Sequence, residues 1–319
     1  MIALVLTLVL FPLVGAAAAL LLRLPLPPSR IARFAFLYLL GLGVNGAVLY
    51  VAIPLVSLAI VAFRWRSFEM MQDEPRERNV LATIVFALPL VVLLFSASIL
   101  PTRDYDGRVT WLPKARAIAL EHSITGPFFH GERGLNLHNR YPLLLPLDVA
   151  TVMRLSGDTR NEAARWIYVL IPIGALLVMR AMLRAPWTAA AIAWLPVLTS
   201  IEGGALAAYS DFALGAFVGV AVLYLIESID DARAWRVAGV FAAFAVLTKN
   251  EGAALAIAIV VAALLVRRSW LQLLLPIVAA EAILTWWRRL VPAAYDEQYE
   301  VLIRTLPHNI GRAPAALLA

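Results

Sequence analysis

Residues 102–147 read TRDYDGRVTWLPKARAIALEHSITGPFFHGERGLNLHNRYPLLLPL, and this stretch decides how the chain must fold. It gathers two close aspartates, Asp104 and Asp106, a Trp111-Leu112-Pro113-Lys114 run, three of the four histidines and an Arg140-Tyr141-Pro142. Apolar runs of membrane-crossing length stand on either side. So many polar groups are too costly to place in hydrocarbon. The stretch therefore belongs at a membrane surface, between helices that cross.

Of the 319 residues, 62% are hydrophobic and 15% charged, with a mean hydropathy of +0.82. That is too little polar surface to cover a soluble globule of this length. Repeated apolar runs of about 20 residues indicate helices, because each span must satisfy its own backbone groups. The runs lack the alternation of a β-barrel. The net charge of +6 and pI near 9.9 are ascribed to arginines at span ends, since no nucleic-acid-binding signature accompanies them. With no cysteine, a disulfide framework or a cysteine-based metal site is excluded. Met1–Leu22 has no basic region before its apolar stretch and reads as a retained span, not a cleaved signal.

The expected architecture is an all-α polytopic membrane protein forming one domain over 1–319. Nine spans are read at Ile2–Leu22, Phe34–Phe63, Val80–Leu100, Trp166–Leu183, Trp187–Ile201, Leu206–Ile226, Val237–Thr248, Ala253–Val266 and Leu271–Leu290. Juxtamembrane or re-entrant helices are expected at Thr110–His122 and Leu143–Leu155 within a large extracytoplasmic loop, 101–165. Arg180 and Arg184, Arg233 and Arg236, Arg267 and Arg268, and the loop Arg64–Arg78 mark cytoplasmic turns. Asp104–Arg165, Glu202–Ser210, Lys249–Glu251 and the tail after Pro292 then share the outer face. Arg23, Arg30 and Arg33 conflict with the rule, because this reading puts the first turn outside. A hairpin broken at Lys249–Glu251 is preferred to one long helix, because it lifts those charges to the surface.

Several residues on that face carry candidate chemistry. Asp106, supported by Asp104, is the candidate general base for an acceptor hydroxyl; a solvated loop start is the plain alternative. Thr110–His122 reads as an amphipathic helix on the bilayer, with Trp111 at headgroup level and Lys114 turned away from lipid. The chain has 25 arginines and only two lysines, Lys114 and Lys249, both beside acidic clusters on the outer face. Compact point charges of this kind suit a phosphate. Arg140 is a candidate bidentate anion clamp, next to His138 and Tyr141. Glu202, Tyr209 and Asp211 stand at span ends, where Ser210 or Asp211 would also serve as a helix N-cap. Lys249-Asn250-Glu251-Gly252 is either a phosphate-binding turn or a self-neutralising ion pair. His122, His130 and His138 are too widely spaced for a metal site and read as loop histidines. No Gly-rich nucleotide loop appears, and no cofactor is indicated.

Asp106, Trp111-Leu112-Pro113-Lys114, Tyr141-Pro142-Leu143-Leu144-Leu145-Pro146, Tyr209-Ser210-Asp211 and Leu247-Thr248-Lys249-Asn250-Glu251-Gly252 occur in an order that resembles bacterial membrane glycosyltransferases of the GT-C fold, related to protein mannosyltransferases and aminoarabinose transferases. The resemblance covers about Val80–Val266. It implies inverting transfer from a polyprenyl-phosphate sugar to a lipid or glycan acceptor outside the bacterial inner membrane, with Asp106 catalytic and Lys249 on the lipid phosphate. Trp111, His138, Tyr141, Glu202, Tyr209, Asp211, Asn250 and Glu251 would line the substrates, and Lys114 and Arg140 would join Lys249 at the phosphate. Two features depart from the family pattern: two spans precede the one leading to the aspartate loop, and relatives continue through further spans past the position of Ala319. A transporter or lipid flippase and a non-catalytic membrane subunit are the rival readings.

Overall fold

The computed structural model describes residues 2–47, 61, 79–99, 107–130, 138–183, 185–200, 208–265 and 270–293. Among these are thirteen α-helices, one short π-helix and no strand. The helices are α1 Ile2–Leu22, α2 Arg30–Ala47, α3 Val80–Ile99, α4 Leu112–Glu121, α5 Pro127–His130, α6 Leu144–Ser156, α7 Asn161–Met182, α8 Pro186–Ala193, α9 Leu195–Ser200, α10 Ser210–Glu227, α11 Ala234–Thr248, α12 Glu251–Leu265 and α13 Trp270–Leu290. The π-helix, Gly107–Trp111, runs directly into α4.

Among the described residues the fold is all-helical, and five helices are long and apolar enough to cross a membrane: α1, α3, Arg165–Met182 within α7, α10 and α13. Three further apolar segments, Pro186–Leu198, Ala234–Thr248 and Glu251–Leu265, are shorter. Fifteen residues make about 22 Å of helix, less than the ~30 Å hydrocarbon core. The expected span Trp187–Ile201 is two helices, α8 and α9, which meet at Trp194 with Pro196 in the first turn of α9. The expected span Phe34–Phe63 begins as α2 but is helical only to Ala47, and most of its remainder lies outside the described residues.

At the centre lies α11, with thirteen of its fifteen residues buried. Its alanines and Gly239 let neighbours approach closely; a Cβ on Gly239 would stand 2.8 Å from the backbone of Leu273 in α13. In a membrane, close packing of this kind holds helices together, because lipid tails are as apolar as the side chains. Phe241 and Phe244 of α11 meet Phe217 of α10 at 6.1 and 5.7 Å between centroids, and Phe241 lies 5.4 Å from Phe36 of α2. α1 and α2 cross antiparallel at Gly15 and Gly41, where a Cβ on either would run into the carbonyl of Leu37 or Phe11. Gly252 of α12 packs back on the Ala245 carbonyl of α11. The chain therefore reverses at Lys249–Asn250, as the hairpin reading expects.

These pairings sort the turns to two ends. Tyr224, late in α10, donates to Pro25 O at 3.4 Å, so the Arg23–Ser29 turn lies with the Ser228–Arg233 turn. Arg180, late in α7, reaches Thr83 at the start of α3. Arg23, Arg30, Arg33, Arg180, Arg233 and Arg236 thus share one end, and the expected conflict over the first turn disappears. That expectation puts the Arg23–Ser29 turn on the side opposite the start of α3. α2 instead ends beside α6, and α3 begins at the arginine end. The opposite end collects residues 107–130 and 138–160, the start of α10, the α11–α12 turn and the end of α13.

Two measurements check this frame. Because the chain has no cysteine, Arg160→Cys and Asp230→Cys, both at exposed positions, should label with a membrane-impermeant maleimide from opposite sides. Gly41→Leu should destabilise the α1–α2 crossing by about 3 kcal/mol, read as a lowered melting temperature in detergent.

Candidate functional site

Two polar groupings occupy the end opposite the arginine turns. The first is built on α4 and the turn before α6. Leu112, Ala115, Ile118 and Ala119 of α4 pack into the core against α6, so this helix faces protein and not lipid. The expected bilayer-lying helix is therefore corrected. Its apolar stripe is covered by α6, and Trp111 is 1% exposed, away from any headgroup. Lys114 is fully buried. Its ammonium donates to the backbone carbonyl of His138 and lies 5.5 and 5.9 Å from the rings of Trp111 and Tyr141. Aromatic faces stabilise a desolvated cation through the ring quadrupole. His138 adopts a left-handed backbone, φ 62°, and stacks on Tyr141 at 4.2 Å. Lys114, Trp111, His138 and Tyr141 thus form one packed unit, with the ammonium turned into the protein.

The next residues tie this unit to α13. Asn139 donates to Phe129 O at 3.1 Å and Pro292 O at 3.0 Å; Arg140 Nε donates to Val291 O at 2.7 Å. A ring nitrogen of His130 lies 3.1 Å from Leu290 O. The Leu290 carbonyl at the end of α13, and those of Val291 and Pro292 just past it, are thereby engaged by side chains. Arg140 and His130 also set positive or donor groups against the negative end of the helix dipole.

The second grouping is the turn between α11 and α12. Lys249 Nζ lies 2.8 Å from Asp211 Oδ1 at the start of α10 and 3.5 Å from Glu251 Oε1 at the start of α12. The lysine side chain is 17% exposed, while Asp211 and Glu251 are more than half exposed. Burial alone would favour the neutral amine. The hydrogen bond and charge of Asp211, then the charge of Glu251, outweigh it and hold the ammonium above the ordinary lysine range. Stability from this arrangement is complete below the ordinary lysine value and is lost only as pH rises through the raised one. Arg288, in the last turn of α13, donates to Asn250 Oδ1 at 2.6 Å. The end of α13 therefore touches both groupings. Asp211 follows Ser210 in the first turn of α10, and neither caps the helix; the N-cap position is Tyr209, without a side-chain cap bond.

Below Asp211 runs an apolar groove of about 280 Å3 between α7, the α8–α9 junction and α10. Pro172, Leu176, Met179, Ile192, Phe212 and Gly215 are among its walls, and among the described residues Asp211 is the one charged residue lining it. A Cβ on Gly215 would meet only open space.

Asp104, Asp106 and Glu202 lie outside the described residues. Ile99 ends α3 at the site end, and Gly107 opens the π-helix at that same end. Among the described residues, no three histidines, aspartates or glutamates gather as metal ligands. Sequence reasoning missed Arg288 and a buried trio, Asn45, Asp148 and Thr151. The signal was present: Asp148 is the one acid in the apolar Leu143–Leu155 stretch, and Asn45 is the one amide in α2.

Compared with protein-family models, curated proteins and solved structures, the chain gives no significant match to any.

Asn139→Ala would leave the Phe129 and Pro292 carbonyls short of a donor. It should cost about 1–3 kcal/mol and loosen residues 107–141, read as faster proteolysis there at an unchanged helix content.

Proposed function

We propose that this protein is a membrane glycosyltransferase. It transfers a sugar, with inversion at the anomeric carbon, from a polyprenyl-phosphate carrier to a lipid or glycan acceptor on the outer face of the bacterial inner membrane. The observation that carries the reading is the Lys249 ammonium, bracketed by Asp211 and Glu251, above an apolar groove along α10. Such a pairing of charge and groove suits an amphiphile with an anionic head and a long hydrocarbon tail. An ammonium has three N–H donors, of which Asp211 and Glu251 engage two. The third can meet a phosphate oxygen, with Arg288 adding positive charge through Asn250.

The chemistry follows from the donor. Its leaving group is a phosphate that needs no nucleotide site, and a fixed cation stabilises the charge developing on it. The acceptor hydroxyl must lose a proton, and the resemblance assigns that task to Asp106, with Asp104 in support. Lys114 acts in this account as a positioning residue, because its ammonium holds Trp111, His138 and Tyr141 together. Arg140 supports the end of α13 in the same way, and with it Arg288. The arginine turns face the cytoplasm, which sets the candidate site outside.

Transfer from a synthetic polyprenyl-phosphate sugar in proteoliposomes tests the proposal. Asp106→Asn should lower kcat by at least about 100-fold while the protein still folds; full activity in that variant removes the base assignment. Gly215→Leu should raise KM for a long-chain donor more than for a short-chain one, since the new side chain enters the groove without a clash. Movement of labelled lipid across the bilayer with no glycosylated product would instead favour a lipid transporter, which would use the same groove.

A further inference from the structure

Asp148 lies on α6, a thirteen-residue helix that is not one of those long and apolar enough to span. Its side chain is fully buried, as is Asn45 of α2. Asn45 Nδ2 donates to Asp148 Oδ1 at 2.8 Å and to Thr151 Oγ1 at 3.1 Å. Thr151 in turn donates to Leu147 O at 2.8 Å. This leaves two buried oxygens with no partner, Asp148 Oδ2 and Asn45 Oδ1. Both are acceptors when the carboxyl is ionised, so neither can satisfy the other. An ionised carboxylate in such a place, with one amide donor and no cation, would carry a large desolvation cost.

Among the described residues, no charged group compensates it. Of the elements packed against α6, α1 contains no titratable residue, α2 presents Tyr38, and α11 has only Arg236, near its far end. Lys114, Arg116 and Glu121 of α4, Arg165 and Tyr168 of α7, and Arg154 on α6 itself make no bond or ion pair with Asp148. Burial pushes the carboxyl well above the usual carboxylate range, with the Asn45 hydrogen bond only partly opposing it.

We propose that Asp148 holds a proton at neutral pH and that the resulting carboxylic acid pairs with the Asn45 amide through two hydrogen bonds, Nδ2–H to Oδ1 and Oδ2–H to Asn45 Oδ1. A single proton converts both orphaned oxygens into one satisfied ring. The pair joins α2, part of the bundle, to α6, on which α4 and its Trp111–Lys114 unit rest. Beside it the two backbones touch, for a Cβ on Gly46 would stand 2.7 Å from Leu144 O. Asp148 is thus a proton-binding site that positions the outer layer on the bundle. The assignment does not depend on any transfer chemistry.

Infrared difference spectroscopy of the full-length protein, wild type against Asp148→Asn at neutral pH, tests it directly. A protonated-carboxyl carbonyl band present in wild type and missing in the variant is the expected result; its absence overturns the proposal. Stability against pH gives a second reading. The folded carboxyl titrates above its unfolded value, so its contribution is complete below the ordinary carboxylate range and falls as pH rises through the raised value. The folding equilibrium should weaken by up to about tenfold per pH unit across that window. Asp148→Asn, which can form the same two-bond ring with Asn45, should remove this slope without loss of stability, whereas Asn45→Leu should destabilise. Equal destabilisation by Asp148→Asn and Asn45→Leu contradicts the pair. Stabilisation of wild type by sodium over choline at constant ionic strength also contradicts it, by showing that a metal cation neutralises the carboxylate.

Discussion

A polar group inside a bilayer must be partnered by the protein or moved to an end, and that constraint sorts this chain. Helices of about twenty apolar residues carry the backbone across, and most of the ionisable residues described stand at or near helix ends. The helix pairings separate the turns cleanly. One end carries arginines, which anchor and orient. The other carries Asp211, Lys249, Glu251, Arg288 and the segments 107–130 and 138–160. A candidate site at that end is therefore a consequence of how the membrane-facing part packs.

The last turn of α13 links the parts. The Leu290 carbonyl at its end and those of Val291 and Pro292 just past it meet His130, Arg140 and Asn139 of the outer layer, while its Arg288 reaches Asn250 in the hairpin turn. Helix C-termini leave unpaired acceptors, and here the end of α13 serves as a socket for the outer segment. The Asn45–Asp148 contact does the same work from α2. Polar ties from α2 and from the end of α13 thus fix the outer layer to the bundle.

Much of this was legible in the residues. Helical class, the reversal at Lys249–Asn250 and the non-spanning nature of Leu143–Leu155 follow from apolar run lengths and from where charges interrupt them. The ion pair at Lys249 was foreseen, though its partner across the turn is joined by Asp211, thirty-eight residues earlier, which no local pattern could supply. The orientation of α4 was misread because an apolar stripe at helical spacing looks the same whether lipid or another helix covers it. Pro196 marked the break between α8 and α9, but Pro12, Pro89, Pro172 and Pro276 sit inside unbroken helices, so proline alone did not decide. Arg288 carries no local signal in the sequence; only the fold shows that it donates to Asn250.

The central claim is that the Lys249 cluster and the groove along α10 together receive a lipid phosphate. Native mass spectrometry of the purified protein with polyprenyl phosphate and with the matching polyprenol tests this most directly. The account expects the phosphate to be retained in preference to the alcohol by at least about tenfold, with the preference lost in Lys249→Ala and retention of both lipids weakened in Gly215→Leu. Equal retention of phosphate and alcohol by the wild-type protein, or a preference untouched in Lys249→Ala, would contradict it.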